Sequence, residues 1–187
     1  MERATAVAKL HEWVDSPSLR RHCYTVEHVM RRAAERYGGS GTHADEWALA
    51  GLLHDADYEK FPKEHPRHIV AWVREQNEEA IAHAIECHAT FLHVPFETIL
   101  DKALFACDEL TGFIVAVALM RPDGVMTMEP PSVMKKLKDK KFAAGVKRED
   151  VTSGAEFLGV DLNSHIEFVI ASLRERAAEF ELDGRKN

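Results

Sequence analysis

The stretch Trp-Ala-Leu-Ala-Gly-Leu-Leu-His-Asp occupies residues 47–55 and decides the fold of this chain. Its first seven residues leave no polar face, and a helix that is apolar all round is buried inside a protein. The stretch ends in His54 and Asp55, so two polar side chains enter the core together. A helix C-terminus carries partial negative charge, which favours a cation beside these two residues.

Helical periodicity extends from this stretch over the whole chain. Apolar residues recur three and four positions apart, and no segment shows the sustained alternation that a half-buried strand needs. We therefore predict an all-α fold, built as a helical bundle. Besides the helix that ends near Asp55, the predicted helices run from Pro17 to about Tyr37 and over residues 64–76, 78–89, 96–120, 132–138, 149–158 and 162–180.

Capping residues mark several of these helix ends. The predicted N-terminal caps are Ser16, Thr42, Asn77 and Asp161. Gly38 and Gly39 predict a left-handed C-cap, because glycine adopts positive φ without steric cost. Three prolines and one glycine within residues 121–131 predict an excursion from the core.

The composition is that of a globular protein, with 45% hydrophobic and 29% charged residues among 187. We predict one domain over residues 1–187. No apolar run reaches the ~20 residues that span a bilayer, and the first residues lack the apolar stretch of a signal peptide. We therefore expect a cytoplasmic protein with no membrane partner. The formal charge of −7 argues against a stable nucleic-acid partner, since such binding needs a basic surface. The oligomeric state stays open.

Histidine is the unusual component, with 11 residues. On a helical projection His22 shares the apolar stripe of Leu19 and Val26, whereas His28 points elsewhere. By the same projection His88 lies on the apolar face of its helix, and His83 lies nearly opposite. We therefore expect His22 and His88 to face the interior.

Downstream, Asp108 falls on another apolar stripe, where a lone carboxylate costs several kcal/mol unless it is paired or metal-bound. One such residue has an ordinary explanation, since a single core histidine is usually hydrogen-bonded locally and Asp108 can pair with an arginine. Four such residues in one core favour a metal site over four separate local explanations. His22, His54, Asp55 and Asp108 bring imidazoles and carboxylates from three helices into one core, which suits a divalent transition metal.

The order of these residues resembles a known family. His22, the pair His54-Asp55 and the distant Asp108 match the H…HD…D pattern of the HD superfamily, whose members are helical, metal-dependent phosphohydrolases. The resemblance spans about residues 19–120. Residues 132–148 also look like the tail of a little-characterised bacterial branch, within a C-terminal helical extension at 132–180.

The resemblance implies a particular ligand set. His65 and His88 fall where two-metal members place two extra histidines, with Asp55 as the bridge between the two sites. The implied cofactors are one or two divalent ions of Fe, Mn, Ni, Co or Zn. Two such ions ~3.5–4 Å apart activate a water and polarise a phosphoryl oxygen. Asp57 either orients that water and takes its proton, as a catalytic residue beside Asp55, or simply caps the turn.

The chain departs from the family pattern at two points. Many two-metal members follow the doublet with Ile-Gly-Lys, but here the residues are Ala56-Asp57-Tyr58, so Lys60 or Lys63 would have to replace the lysine. Ile69 stands where a small residue is usual, and this leaves His68 as an alternative ligand to His65.

We therefore expect hydrolysis of a phosphoester in a nucleotide or another small phosphorylated metabolite. Two alternatives remain open, namely an HD-fold di-iron oxygenase and a non-catalytic binding module stabilised by its metal.

Two further features have no assigned role. The three cysteines (Cys23, Cys87 and Cys107) are odd in number and unclustered, which indicates reduced thiols packed in helices. Residues 135–148 hold seven basic residues against one acidic residue, a local charge of +6. Such a run is usually a solvated face, but beside a metal site it would attract a phosphorylated substrate.

Overall fold

The computed structural model describes residues 1–184, and this part of the chain contains nine α-helices, one 3₁₀ turn and no strand. The all-α prediction is confirmed. In chain order the helices are α1 (Arg3–Trp13), α2 (Pro17–Tyr37), α3 (Ala44–Leu53), α4 (Arg67–Glu75), α5 (Glu79–His88), α6 (Ile99–Leu119), α7 (Pro130–Leu137), α8 (Arg148–Leu158) and α9 (Leu162–Glu175), with the 3₁₀ turn at Thr90–Leu92.

The chain divides into two compact units. The N-terminal unit is Met1–Phe105 and the C-terminal unit is Ala106–Asn187, so the boundary falls inside α6. Residues 185–187 of the predicted domain lie outside the described residues. The prediction of one domain over residues 1–187 stays a prediction.

Helix α3 forms the centre of the N-terminal unit. All seven residues from Trp47 to Leu53 are buried, as the apolar stretch predicted. The helix ends at Leu53, and His54 follows as the C-cap residue with right-handed helical backbone angles. The C-terminal turn of a buried helix therefore carries His54 directly into the core.

Gly51 allows α3 to lie against α2 at backbone distance. A Cβ atom built on Gly51 would lie 2.7 Å from the carbonyl oxygen of Val26, which is closer than real Cβ contacts. His22 lies four residues before Val26, and His54 lies three residues after Gly51. Because the two helices run antiparallel through this contact, it places His22 and His54 side by side.

The observed helix ends correct several of the predicted caps. Ser16 caps α2 and Asp161 caps α9, each accepting a hydrogen bond from a backbone amide as predicted. Thr42 and Asn77 are not caps, because His43 and Glu78 occupy those positions and neither accepts a side-chain cap bond. The prediction of a left-handed cap at Gly38-Gly39 is also wrong.

Gly38 has an extended backbone with φ −69°, so positive φ does not explain this glycine. A Cβ atom at Gly38 would instead lie 2.3 Å from the carbonyl oxygen of Ala34. The lack of a side chain is what the end of α2 requires.

The C-terminal unit holds α7 to α9 and most of α6. Gly154 of α8 lies close to Ala106 of α6, where a Cβ atom would be 2.7 Å from the Ala106 Cα. His165 of α9 is fully buried, and its Nε2 lies 3.0 Å from the carbonyl oxygen of Ala106. The predicted excursion at residues 121–131 is only partly correct, because Val125 and Met128 within it are fully buried.

Within residues 1–184, no helix has both the length and the apolar character to cross a membrane.

The contact at Gly51 gives a stability prediction. Gly51→Ala places a Cβ against backbone atoms that side-chain rotation cannot move away, so we expect a loss near the upper end of the about 1–3 kcal/mol typical of overpacking. The better helix propensity of alanine returns only about 1 kcal/mol, so the variant should be less stable overall. Denaturant unfolding measures the difference. Gly39→Ala is the control, since nothing lies within 4 Å of its Cβ position, and equal stability of the two variants would refute the close contact.

Candidate metal centre

The hydrogen bond of His54 defines which of its two ring nitrogens carries the proton. Its side chain is fully buried, and Nδ1 lies 2.8 Å from the carbonyl oxygen of Gly51. A carbonyl oxygen only accepts hydrogen bonds, so Nδ1 carries the proton and Nε2 presents a lone pair. A metal-ligating histidine is usually held by such a bond from its other nitrogen.

His22 of α2 lies opposite that lone pair. The Nε2 atoms of His22 and His54 are 3.1 Å apart. Two nitrogens that each lie ~2.1 Å from one ion are about 3.0–3.4 Å apart, for angles of an octahedron or a tetrahedron. The His22–His54 pair therefore has the separation of two ligands on one divalent ion.

Asp55 divides its two carboxylate oxygens between two pairs of histidines. Oδ2 lies 3.7 Å from His22 Nε2 and 3.5 Å from His54 Nε2. Oδ1 lies 3.4 Å from His65 Nε2 and 3.8 Å from His88 Nε2. All four imidazoles thus present Nε2 to one carboxylate, which has the arrangement of a bridge between two ions. We call these five residues the HD centre.

The second pair of histidines is also held from behind. His88 Nδ1 bonds to the carbonyl oxygen of Ile85, and His65 Nδ1 lies 2.7 Å from Asp57 Oδ1. Suitable ligand atoms of Asp55, His65 and His88 lie within 4.8 Å of one another. The donors therefore fit a metal ion of the imidazole and carboxylate type.

The chain was compared with known proteins. Residues 19–112, half of the chain, match the family model of the HD domain. The chain belongs to the HD-domain family. The matched range includes every predicted ligand of the HD centre, and membership indicates a metal-dependent hydrolase. Searches of curated proteins and of solved structures found no match. The predicted branch rests on residues 132–148, outside the matched range, and stays a prediction.

Asp57 lies behind the HD centre and not in it. It is fully buried, and Oδ2 accepts hydrogen bonds from the backbone amides of His68 (3.1 Å) and Ile69 (3.0 Å) at the start of α4. With Oδ1 bonded to His65, both oxygens are engaged. These contacts support the capping alternative, and the predicted catalytic role of Asp57 finds no support in them.

The positions of His65 and His68 favour His65 as the ligand. His65 Nε2 faces Asp55, whereas His68 is exposed and stacks on Phe61 with ring centroids 4.0 Å apart. Lys60 lies over the rings of Trp13 and Phe61, and Lys63 is exposed, so replacement of the family lysine by either residue stays a prediction.

The helical projections were right for His22 and His88 and wrong for His28. His22 and His88 lie in the HD centre as predicted. His28, expected to point away from the core, is buried, with 7% of its surface exposed. His83, predicted to lie opposite the apolar face of α5, is partly buried, and its Nδ1 lies 3.2 Å from Asp101 Oδ2 at the start of α6.

Asp108, the remaining predicted ligand, lies on α6 in the C-terminal unit and is partly buried. Burial, with the Asp108 charge second, raises the pKa of the neighbouring Glu109 to about 7. The role of Asp108 as a ligand stays a prediction.

The HD centre is open to solvent on one side. The side chains of His22 and Asp55 are 21% and 19% exposed, whereas that of His54 is fully buried. Beside them the exposed ring of Tyr58 meets His65 edge-on, with centroids 5.2 Å apart. Solvent therefore reaches the centre at His22 and Asp55.

The basic segment borders a cavity of about 430 Å³ in the C-terminal unit. Lys138, Lys140 and Lys147 line it and are exposed. Arg148 donates instead to the carbonyl oxygens of Asp139, Phe142, Ala143 and Val146, so its guanidinium holds the loop together. Attraction of a phosphorylated substrate by the lysines stays a prediction.

The contacts of Asp57 predict the effect of a conservative change. Asp57→Asn keeps an oxygen for the α4 amides but turns an amide group towards His65, which then favours the tautomer with the proton on Nε2. Loss of such a supporting acceptor lowers metal affinity about 10–100-fold. Isothermal titration with Zn²⁺ or Mn²⁺ measures it. Asp161→Asn, at the cap of α9, is the control and should bind as the parent does; equal affinity in both variants would contradict the positioning role of Asp57.

Proposed function

We propose that this chain is a metal-dependent phosphohydrolase that cleaves a phosphoester in a nucleotide or another small phosphorylated metabolite. The observation that carries the proposal is that the two oxygens of the Asp55 carboxylate face two different pairs of histidines. One oxygen faces His22 and His54, and the other faces His65 and His88. A single metal with a structural role needs no second pair of histidines on the far oxygen.

The proposed ligands form two sets that share Asp55. His22 and His54, together with Asp108 of α6, would hold one divalent ion, and His65 and His88 would hold the other. Such ions supply Lewis acidity to a phosphoryl oxygen and lower the pKa of a water. Their identity is one of Fe, Mn, Ni, Co or Zn.

The protein's own contribution is to orient these groups before substrate arrives. Gly51, Ile85 and Asp57 each hold the Nδ1 proton of one histidine, so that His54, His88 and His65 keep their Nε2 lone pairs directed at the centre. We propose that Asp57 is a positioning residue in place of the catalytic role considered from sequence. Its effect passes through His65, because Oδ1 bonds to His65 and Oδ2 accepts from the backbone amides at the start of α4.

Substrate would enter where the centre is open. His22 and Asp55 are the two ligands with appreciable exposure, so the phosphoryl group would approach between them. Tyr58 stands where many two-metal members have a lysine, and its exposed hydroxyphenyl ring offers a neutral, aromatic contact instead of a charge. We propose that Tyr58 contacts the part of the substrate next to the reacting phosphate.

The first test is the shared ligand. Asp55→Ala removes the only carboxylate that faces both histidine pairs, so we expect metal content near zero and phosphate release at background. Elemental analysis and a phosphatase screen over nucleotides, sugar phosphates and dinucleoside polyphosphates measure both. His68→Ala is the matched control, because His68 is exposed and outside the centre. Full metal content and rate in Asp55→Ala would show that the assignment is wrong.

The second test separates the two sets. The His65→Ala, His88→Ala double variant keeps His22, His54 and Asp55, so it should bind about half the metal of the parent and remain folded, with a sharply reduced rate. Metal stoichiometry, thermal unfolding and rate are measured on one preparation. Unchanged stoichiometry with a normal rate would leave a single-metal site and remove both histidines from it.

Parent protein loaded with different metals distinguishes phosphoester hydrolysis from oxygen chemistry. Phosphate release under nitrogen with Mn²⁺ or Ni²⁺ supports the hydrolase. Oxygen uptake by the iron-loaded protein, without phosphate release, would assign it to the di-iron oxygenases instead.

A further inference from the structure

A second group of metal-binding side chains lies in the N-terminal unit and shares no residue with the HD centre. His83, Cys87 and Asp101 each offer one ligand atom, and these atoms lie within 4.8 Å of one another. His83 and Cys87 are four residues apart on α5, so they lie on the same face one turn from each other. Asp101 comes from the first turn of α6.

The distances between the three side chains are short. His83 Nδ1 lies 3.2 Å from Asp101 Oδ2 and 3.5 Å from Cys87 Sγ. Cys87 and Asp101 are buried, whereas the His83 side chain is 21% exposed. The group is therefore a partly enclosed site that solvent reaches at His83.

Capping of α6 accounts for the hydrogen bonds of only one oxygen of the Asp101 carboxylate. Oδ2 accepts hydrogen bonds from the backbone amides of Glu97 (2.9 Å) and Thr98 (2.8 Å), and the amide of Asp101 donates to Thr98 Oγ1. This is a capping box, which any aspartate or glutamate at this position would complete.

The other oxygen, Asp101 Oδ1, is buried and has no hydrogen-bond partner. An unsatisfied buried acceptor destabilises the folded state, and more so when it is charged. The capping hydrogen bonds to Oδ2 do not satisfy this second oxygen. A cation beside His83 and Cys87 would supply the missing partner.

A fourth donor lies at the open side. Glu97 Oε2 is 4.0 Å from His83 Nε2, not from the Nδ1 that lies nearest Asp101. The Glu97 side chain is 68% exposed, so it would rotate towards the ion without displacing packed groups. Thiolate, imidazole and carboxylate together are the ligand types of a zinc site. A coordinating thiol is deprotonated by the cation, and its proton leaves to solvent.

We propose that His83, Cys87 and Asp101, with Glu97 as the fourth ligand, form a second, structural site for one zinc-class ion that fastens the end of α5 to the start of α6. The site is independent of the HD centre in its ligands. It also gives a role to a cysteine that the sequence left without one. Cys87 lies next to His88, so the ion would restrain the same turn of α5 that supplies a ligand to the HD centre.

Cobalt(II) titration of metal-free protein tests the proposal. Cobalt bound by a thiolate shows a near-ultraviolet sulfur-to-metal charge-transfer band, and tetrahedral cobalt shows intense visible bands. The HD centre contains no cysteine, so the charge-transfer band reports only the proposed site. In the Asp55→Ala variant, which should lose the metal of the HD centre, we expect the band to saturate at one cobalt per chain and to disappear when one equivalent of Zn²⁺ is added.

Variants assign the band to its ligands. Cys87→Ser should abolish it, whereas Cys23→Ser, at another buried cysteine of the same unit, should retain it. Asp101→Asn keeps an oxygen for the capping amides and should fold normally, but it should weaken cobalt binding at least tenfold because the negative charge is lost. Circular dichroism monitors the fold, and Asp101→Asn carries the test if Cys87→Ser does not fold.

The outcomes are separable from those of the proposed function. Asp55→Ala should lose the metal of the HD centre and keep the charge-transfer band. Absence of the band in folded parent protein, its persistence in Cys87→Ser, or unchanged affinity in Asp101→Asn would each overturn the second site, whatever the phosphatase screen shows.

Discussion

The backbones of α2 and α3 approach each other at Gly51 more closely than any side chain would permit, and the HD centre depends on this contact. Val26 carbonyl oxygen stands where a Cβ of residue 51 would lie. The contact sets the separation of the two helices, and that separation determines the 3.1 Å between His22 and His54. Gly51 also accepts the Nδ1 proton of His54, so one residue controls both the distance and the tautomer.

The HD centre places one carboxylate and four imidazoles in a partly buried space, and this has an energetic consequence. Buried polar groups destabilise a fold unless they are satisfied, and backbone acceptors satisfy the outer nitrogens of His54 and His88. The inner Nε2 atoms face one another and Asp55. Metal binding to such a centre contributes directly to the stability of the folded state, because an unfolded chain has no preformed site. Metal affinity and folding would therefore be coupled in this protein.

Helical periodicity located some functional side chains and misplaced others for one reason. It identifies a single apolar stripe and treats the opposite face as solvent. The middle of α2 is buried on several faces, from Cys23 to Met30, so His28 is enclosed although it lies off the stripe. On α5 the face opposite Ile81 carries His83, and Asp101 at the start of α6 lies close to His83 and Cys87. A projection of one helix carries no information on how many neighbours that helix has.

By itself, the sequence determined the helical class and the burial of residues 47–53, because these follow from local periodicity. The order of a family motif also predicted His22, His54, Asp55 and His88 as a set, with either His65 or His68. Only the tertiary structure placed His65, and not His68, against Asp55, and it alone showed Asp57 to be bonded behind His65. It also decided that Asp55 divides its oxygens between two histidine pairs. The physical reason is that ligand geometry depends on contacts between residues distant in the chain, such as Val26 with Gly51, and neither residue type nor spacing encodes the distance at which two helices meet.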